Sequence, residues 1–83
     1  MPRFFFDVWE DEALTEDGEG VEFPSVEAAK AEALVTLPTI AQGYLSQGDH
    51  KYLEIRIRDE AKKPVLRVAF ALVIEHLDKP ELH

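Results

Sequence analysis

Clustered carboxylates in the first third of the chain are the side chains most able to bind a metal ion. The stretch TEDGEGVEFPSV at 15–26 can be aligned with a calcium-binding EF-hand loop when Gly20 takes its sixth position. Thr15 and Asp17 then fall on ligand positions, but Val26 falls on the twelfth, where the loop needs a bidentate glutamate. The alignment on Gly18 fails sooner, at the first position. We therefore interpret the stretch as a solvated acidic turn and predict no metal site.

Histidines and hydroxyls form no recognisable catalytic arrangement. His50, His76 and His83 lack the four-residue spacing of a helical zinc motif, and the chain has no cysteine. The candidate nucleophiles are Ser25, Ser46, Thr15, Thr36 and Thr39. Ser25 stands where a helix N-cap is expected, and neither a G-x-S-x-G motif nor a glycine-rich phosphate loop occurs. The sequence thus predicts no enzyme and no cofactor.

Three arginines form a basic strip on the predicted hairpin at 52–70. Arg56, Arg58 and Arg67 alternate with apolar residues, so on neighbouring antiparallel strands they share the solvent face. One interpretation pairs them with acids of the same chain, such as Glu54 and Asp7. The other makes the strip a docking patch for an acidic partner, including the acidic N-terminal part of a second copy.

Aromatic residues in the opening MPRFFFDVWED raise the question of what the outer sheet face contacts. If Phe4, Phe6 and Val8 face the core, then Phe5 and Trp9 lie on the opposite face. A contiguous apolar patch there would mark an interface, and Trp and Arg are typical of binding hot spots. The candidate interface residues are Phe5, Trp9, Arg56, Arg58 and Arg67. The alternative is that ALVIEHL at 71–77 folds over this face and covers it.

The net charge of −8 is unevenly distributed and excludes some partners. Residues 1–24 carry eight acids and one cation, which gives −7, whereas residues 51–83 carry seven cations and six acids, which gives +1. Nucleic acids and anionic membranes attract positive surfaces, so neither partner is expected. No leader peptide is recognisable, and the apolar run VAFALVI at 68–74 is too short to span a bilayer. We expect a cytoplasmic protein.

The elements that must position these residues alternate between strand and helix patterns. Residues 3–10 predict a strand, EDEALTEDGEG at 10–20 a loop or wide turn, and VEF at 21–23 a short strand that pairs back. Residues 52–70 predict a hairpin, with the turn at DEAKKP. The segment 71–77 is either a short helix or an extended edge.

The helical region follows Ser25. An apolar stripe recurs every three to four residues at Val26, Ala29, Ala33, Leu37, Ile40 and Tyr44. Pro38 interrupts this pattern and predicts a kink or break near Leu37. Gly43 or Gly48 is expected to end the helix.

Together these patterns predict a single α+β domain over residues 1–83, in which 79–83 form a frayed tail. The architecture is a two-layer sandwich of one kinked helix on a three- or four-stranded antiparallel sheet, in the order ββαββ. Phe6, Leu37, Ile55 and Val68 should share its core.

Three stretches resemble, in the same order, a small bacterial domain of unknown function. They are MPRFFFDV, GVEFPSVEAAKAEAL and IRIRDEAKKPVLRVAF. Members of that family often begin MPRYFFHV, continue with an acidic turn, and are typical of rhizobia and related alphaproteobacteria. This chain departs from the pattern at Asp7, where histidine is common, and at Pro38. The resemblance implies no activity, cofactor or catalytic residue.

The stretch GVEFPSVEAAKAEAL is also similar to small antitoxin domains of the HicB type. That similarity implies an α+β regulator that neutralises a basic partner protein. The sequence therefore predicts a non-enzymatic interaction module that self-associates, as a homodimer, with the HicB-like regulator as the alternative and an enzyme of unknown class third.

Overall fold

One helix lies against one face of an antiparallel sheet in the computed structural model, which describes residues 1–44 and 50–78. The elements are β1 (Arg3–Glu10), β2 (Ala13–Thr15), β3 (Val21–Glu22), α1 (Val26–Tyr44), β4 (His50–Arg58) and β5 (Pro64–Val73). The strands lie in the order β2-β1-β4-β5, and β3 pairs with the start of β1. The α+β class is confirmed, but the described residues form a sheet of five strands and not the three or four predicted.

The additional strand comes from the acidic stretch that we predicted to be a loop. β2 pairs with the end of β1, with Trp9 opposite Leu14 and Glu10 opposite Ala13. The two-residue turn between them places Asp11 at a φ of 55°. Tight hairpin turns need a positive φ at the first central position, and aspartate tolerates it better than most residues. The predicted short strand is present as β3, with Val21 opposite Phe4.

The helix begins where the sequence predicts it. The Ala28 N–H donates to Ser25 Oγ at 3.2 Å, so Ser25 is the N-cap. Of the predicted kink or break near Leu37, the break does not occur, because α1 continues through Pro38, and the kink stays a prediction. Gly43 does not end the helix, since α1 contains it. Pro38 has no N–H to donate to the Leu34 carbonyl, and both residues are exposed. Gly48 lies outside the described residues.

The core lies between α1 and the inner face of the sheet. Its buried members are Phe4, Ala29, Ala33, Leu37, Ala41, Leu53, Ile55 and Ile57. Phe6 and Val68 pack against this cluster, so the four predicted core residues do share one core. Alanines at three of the buried helix positions let the helix backbone approach the β-branched side chains of β4 closely.

The hairpin of β4 and β5 is built as predicted, with Ile55 opposite Val68 and Ile57 opposite Leu66. Its turn is held by Asp59, whose Oδ1 accepts the N–H groups of Ala61 and Lys63, both at 2.9 Å. Lys62 in this turn has a φ of 66°. Within the described residues, no helix has both the length and the apolar character needed to cross a membrane.

The segment after Phe70 continues β5 as an extended edge, which was one of the two predicted forms. Residues 71–73 pair with β4, with Ala71 opposite Tyr52. Beyond them Leu77 is 88% exposed and Ile74 is also exposed. The described part of this segment therefore does not fold over Phe5 and Trp9. The predicted frayed tail at 79–83 lies outside the described residues.

Candidate interaction surface

The outer sheet face, on the side away from α1, carries every residue of the candidate interface. Cross-strand registers place Phe5 opposite Arg58 and Trp9 opposite Glu54. Arg67 on β5 lies opposite Arg56 on β4. Directly paired residues point to the same face of a sheet, so these side chains form one surface. No helix or strand of the described chain lies over it.

The first ion-pair cluster on this face joins β1 to β4. Arg58 Nε donates to Asp7 Oδ2 at 2.8 Å, and Arg58 Nη2 donates to the Asp17 carbonyl at 2.8 Å. The Arg58 guanidinium carbon also lies 4.6 Å from the centre of the Phe5 ring, within range of a cation–π interaction. The hydrogen bond to Asp7 raises the pKa of Arg58. This guanidinium is thus satisfied by its own chain.

Asp17 holds the acidic loop against the centre of β1. Its Oδ2 accepts the Phe6 N–H at 3.1 Å, and its Oδ1 accepts the N–H groups of Glu19 and Gly20, both at 3.0 Å. Its own N–H donates to Asp7 Oδ1 at 2.9 Å. Phe6 lies on β1 between the residues that pair with β2 and those that pair with β3. The Asp17 carboxylate binds the Phe6 N–H in this gap. Asp17 therefore anchors the loop to the sheet edge, while Glu16, Gly18 and Glu19 remain exposed to solvent.

Electrostatics at Asp17 follow from these hydrogen bonds. Partial burial by itself raises the pKa of Asp17, but hydrogen bonds from three backbone N–H groups outweigh it. The Arg58 charge acts in the same direction as the hydrogen bonds. The net result is a pKa of Asp17 below its ordinary value of 3.8.

Glycine is required at position 20 because the loop passes very close to β1. Gly20 has a φ of 72°, and a Cβ there would lie 2.9 Å from the Phe4 carbonyl oxygen and from a ring carbon of Phe5. Any other residue would have to displace the backbone of β1. Gly20 and Asp17 together fix the path of the loop.

The second cluster lies along β4 and contains a buried acid. Glu54 is only 3% exposed, although it is on the sheet face that α1 does not cover. Its Oε1 accepts the Tyr52 hydroxyl at 2.6 Å, and its Oε2 accepts Arg56 Nε at 2.8 Å. The hydrogen bond to Glu54 raises the pKa of Tyr52. Burial is tolerated because both carboxylate oxygens have partners.

Arg67 is an exposed cation on the outer face. It lies opposite Arg56, and like charges on directly paired residues repel each other. Glu54 neutralises Arg56 at 2.8 Å. Among the described residues, no carboxylate forms an ion pair with Arg67.

The structure places the five predicted interface residues on one sheet face, but they differ in exposure and in their contacts with the rest of the chain. Phe5 and Trp9 are half-buried, and Arg67 is exposed. Arg56 and Arg58 contact Glu54 and Asp7, the acids named in the intrachain interpretation. That these residues form an interface stays a prediction.

Sequence reasoning missed the structural role of Asp17. The available signal was an aspartate directly before Gly18, with Gly20 two residues further on, because aspartate commonly accepts nearby backbone N–H groups in turns. The Tyr52 hydrogen bond was also missed, although alternation in the strand places Tyr52 and Glu54 on the same face two residues apart.

Candidates for other chemistry are dispersed in the structure. Among residues 1–44 and 50–78, no group of three or more His, Asp or Glu side chains is arranged to hold a metal ion. His76 is exposed, Thr15 is on the exposed strand β2, and Thr36 and Thr39 lie on α1. Ser46, His83 and the side chain of His50 lie outside the described residues.

Comparisons with known proteins give one match. A search of curated proteins finds no significant match, and neither does a search of solved structures. The similarity to HicB-type domains and the alphaproteobacterial origin therefore stay predictions. A family model described as a domain of unknown function, DUF6894, matches residues 3–71. Because this match spans most of the 83 residues, the chain belongs to the DUF6894 family.

Proposed function

We propose that this domain is a non-enzymatic protein-interaction module that self-associates through its outer sheet face. The observation that carries the proposal is the exposed Arg67 with the half-buried Phe5 and Trp9, on a face that no helix or strand of the described chain covers. The acidic loop packs only on the end of this face where Phe5 and Arg58 lie. Trp9 and Phe5 supply apolar contact area, and Arg67 supplies a charge with no intrachain partner in the described residues. Aromatic and arginine side chains dominate the energetics of protein interfaces.

A second copy is favoured because the two sides of the sheet differ in charge. The β5 side carries the cations Lys63 and Arg67, whereas the β2 side carries the exposed acids Glu12 and Glu16. A two-fold axis parallel to the strands would stack two outer faces with the β5 side of one copy over the β2 side of the other. Unlike charges then meet at both edges of the interface.

The test is solution mass, measured by light scattering at high micromolar concentration and at low and high salt. The wild type should be dimeric, and the variant Phe5→Ser with Trp9→Ala should be monomeric. High salt should weaken the dimer only in part, because it screens the charged contacts but not the apolar ones. The matched control, Leu34→Ala with Val35→Ser, removes exposed apolar groups from α1 and should remain dimeric.

Loss of Phe5 also removes an intrachain contact with Arg58, so a second variant separates association from folding. Arg67→Glu changes an exposed side chain that has no ion-pair partner among the described residues. At a concentration low enough for both proteins to be monomeric it should keep the wild-type melting temperature, and at high concentration it should dissociate at lower salt. A wild type that remains monomeric, or an aromatic double variant that is as dimeric as the wild type, would overturn the proposal.

A further inference from the structure

The free edge of β5 is a second surface with features of an association site. β5 is ten residues long and pairs with β4 on one side, and no described strand pairs with its other side. Natural edge strands are usually protected by charges, prolines, bulges or short length. Here Pro64 and Arg67 protect the first part, but Val68–Val73 contains neither a charge nor a proline.

Exposed apolar side chains continue beyond this unprotected part. Phe70 is 40% exposed, and Val73, Ile74 and Leu77 are exposed as well. Beside Phe70, an apolar groove of about 280 Å³ lies between β5 and the second half of α1, lined by Leu37, Pro38, Ala41 and Gln42. A strand added to this edge would cover the backbone groups, and its side chains would reach the groove.

The charges in and after β5 indicate which strand could pair with its free edge. Residues 62–74 contain Lys62, Lys63 and Arg67 and no acid, which gives +3 in a chain whose net charge is −8. The residues immediately after β5 are acidic instead, with Glu75 and Asp78 both exposed. A second β5 in antiparallel orientation brings the basic start of each strand beside the acidic residues that follow the other. A parallel copy would place lysines beside lysines.

We infer that β5 pairs antiparallel with the β5 of a second copy, so that the two sheets join across a two-fold axis. Such an interface is self-complementary, because each strand offers the other the same row of donors and acceptors. The inference does not rest on the outer face. Two different two-fold interfaces on one chain would build an assembly larger than a dimer, so a dimer in solution uses one surface or the other.

Amide hydrogen exchange on labelled protein tests the pairing directly, at about 20 µM and about 1 mM. Along a strand, alternate N–H groups point to opposite neighbours. The alternate amides of Val68–Val73 that point away from β4 should therefore exchange more slowly as concentration rises. Amides of Leu53–Ile57, which lie between β1 and β5, are the internal control. They are already paired in the monomer and should slow only as much as association raises the global stability. Exchange at β5 that is independent of concentration, whether fast or slow, would overturn the inference.

A charge swap provides the matched variants. Lys63→Glu should raise the dissociation constant by about tenfold, because a two-fold dimer contains the affected contact twice. Adding Glu75→Lys to the same chain should restore it. Lys30→Glu on α1 makes the same charge change away from the edge and should have a smaller effect.

The outcomes separate the two association surfaces. Protection of β5 in a dimer that survives the Phe5 and Trp9 substitutions supports the edge and overturns the outer face. A dimer without concentration-dependent protection at β5 overturns the edge and leaves the outer face to account for association. If Lys63→Glu and Lys30→Glu have equal effects, the charge argument for antiparallel β5 pairing is wrong.

Discussion

Asp17 shows how one side chain can replace a stretch of strand. β2 and β3 each cover only part of β1, and the amide of Phe6 between them is bound by the Asp17 carboxylate at 3.1 Å. The same carboxylate binds two further N–H groups in its own loop. A hydrogen bond to a charged group contributes more to stability than a neutral one, about 1.5–3 kcal/mol. Asp17 should therefore be a determinant of stability with a characteristic pH dependence.

The sign of that dependence follows from the lowered pKa of Asp17. At pH values just below 3.8 the unfolded chain takes up a proton at this position more readily than the folded chain does. The stabilisation is therefore fully present above that pH and is lost as pH falls through the pKa of the folded state. In chemical denaturation from pH 6 to pH 2, Asp17→Asn should be less stable than the wild type by about 1–3 kcal/mol at pH 6. The difference should shrink towards pH 2.

Glu16→Gln is the control for this titration. Glu16 is adjacent, exposed and outside the hydrogen bonds of the loop, so its removal should change stability by less than about 0.5 kcal/mol. A difference between Asp17→Asn and wild type that stays constant across the pH range would contradict the assigned role of the carboxylate charge.

Lys62 carries local backbone strain in the turn between β4 and β5. Its φ of 66° lies in the left-handed region, which costs a residue with a Cβ roughly 1 kcal/mol more than glycine. Lys62→Gly should raise the free energy of unfolding by about that amount, measured by urea denaturation. Lys63→Gly, one residue later and without a positive φ, should lower it instead. Two glycine variants that shift stability in the same direction would show that strain at Lys62 is not the cause.

Elements with strong periodicity were predictable, because the period itself reports which face is buried. Alternation on β4 identified Leu53, Ile55 and Ile57 as inward-facing, and all three are fully buried. β2 was missed because its residues, Ala13 to Thr15, are all exposed and lie between acids. Its pairing depends on the turn at Asp11 and on β1 as a template. The composition of residues 13–15 alone therefore does not predict that they form a strand.

The same limit applies to the candidate surface. Alternation was enough to place Phe5, Trp9 and the arginines on one face. Glu54 and Asp7 were named as partners from the sequence, but alternation does not specify which arginine each acid binds. The Arg56–Glu54 pair runs along β4, whereas the Arg58–Asp7 pair crosses diagonally to β1. The residue directly opposite Arg58 is Phe5, and Arg58 forms its ion pair with Asp7, two residues further along β1.

The helix offers a paired test of which face is buried. Leu37 is 6% exposed and belongs to the core, whereas Leu34, one turn away, is 53% exposed. Leu37→Ala should lower the free energy of unfolding by about 2–5 kcal/mol, the range for truncation of a buried leucine. Leu34→Ala should change it by less than about 0.5 kcal/mol, and both are measured by thermal or urea denaturation. Equal losses would mean that α1 is rotated relative to the sheet.

At the scale of the whole molecule, the shape leaves much of the sheet without a second layer. The described chain measures 55 × 21 × 19 Å, and α1 lies against one face only. An 83-residue chain without disulfides has a small core and a narrow stability margin. Burial of further apolar surface by association would add to that margin at roughly 25 cal/mol per Å².

Association of the folded state has a thermodynamic signature that does not depend on which surface is used. A partner that binds only the folded chain stabilises it by mass action, so the melting temperature must rise with protein concentration. In a domain of this size a gain of about 1 kcal/mol corresponds to roughly 4–8 °C. Calorimetric melts at about 10 µM and about 1 mM should therefore differ by several degrees. Melts that superimpose across this hundredfold range would contradict self-association through either the outer face or the β5 edge.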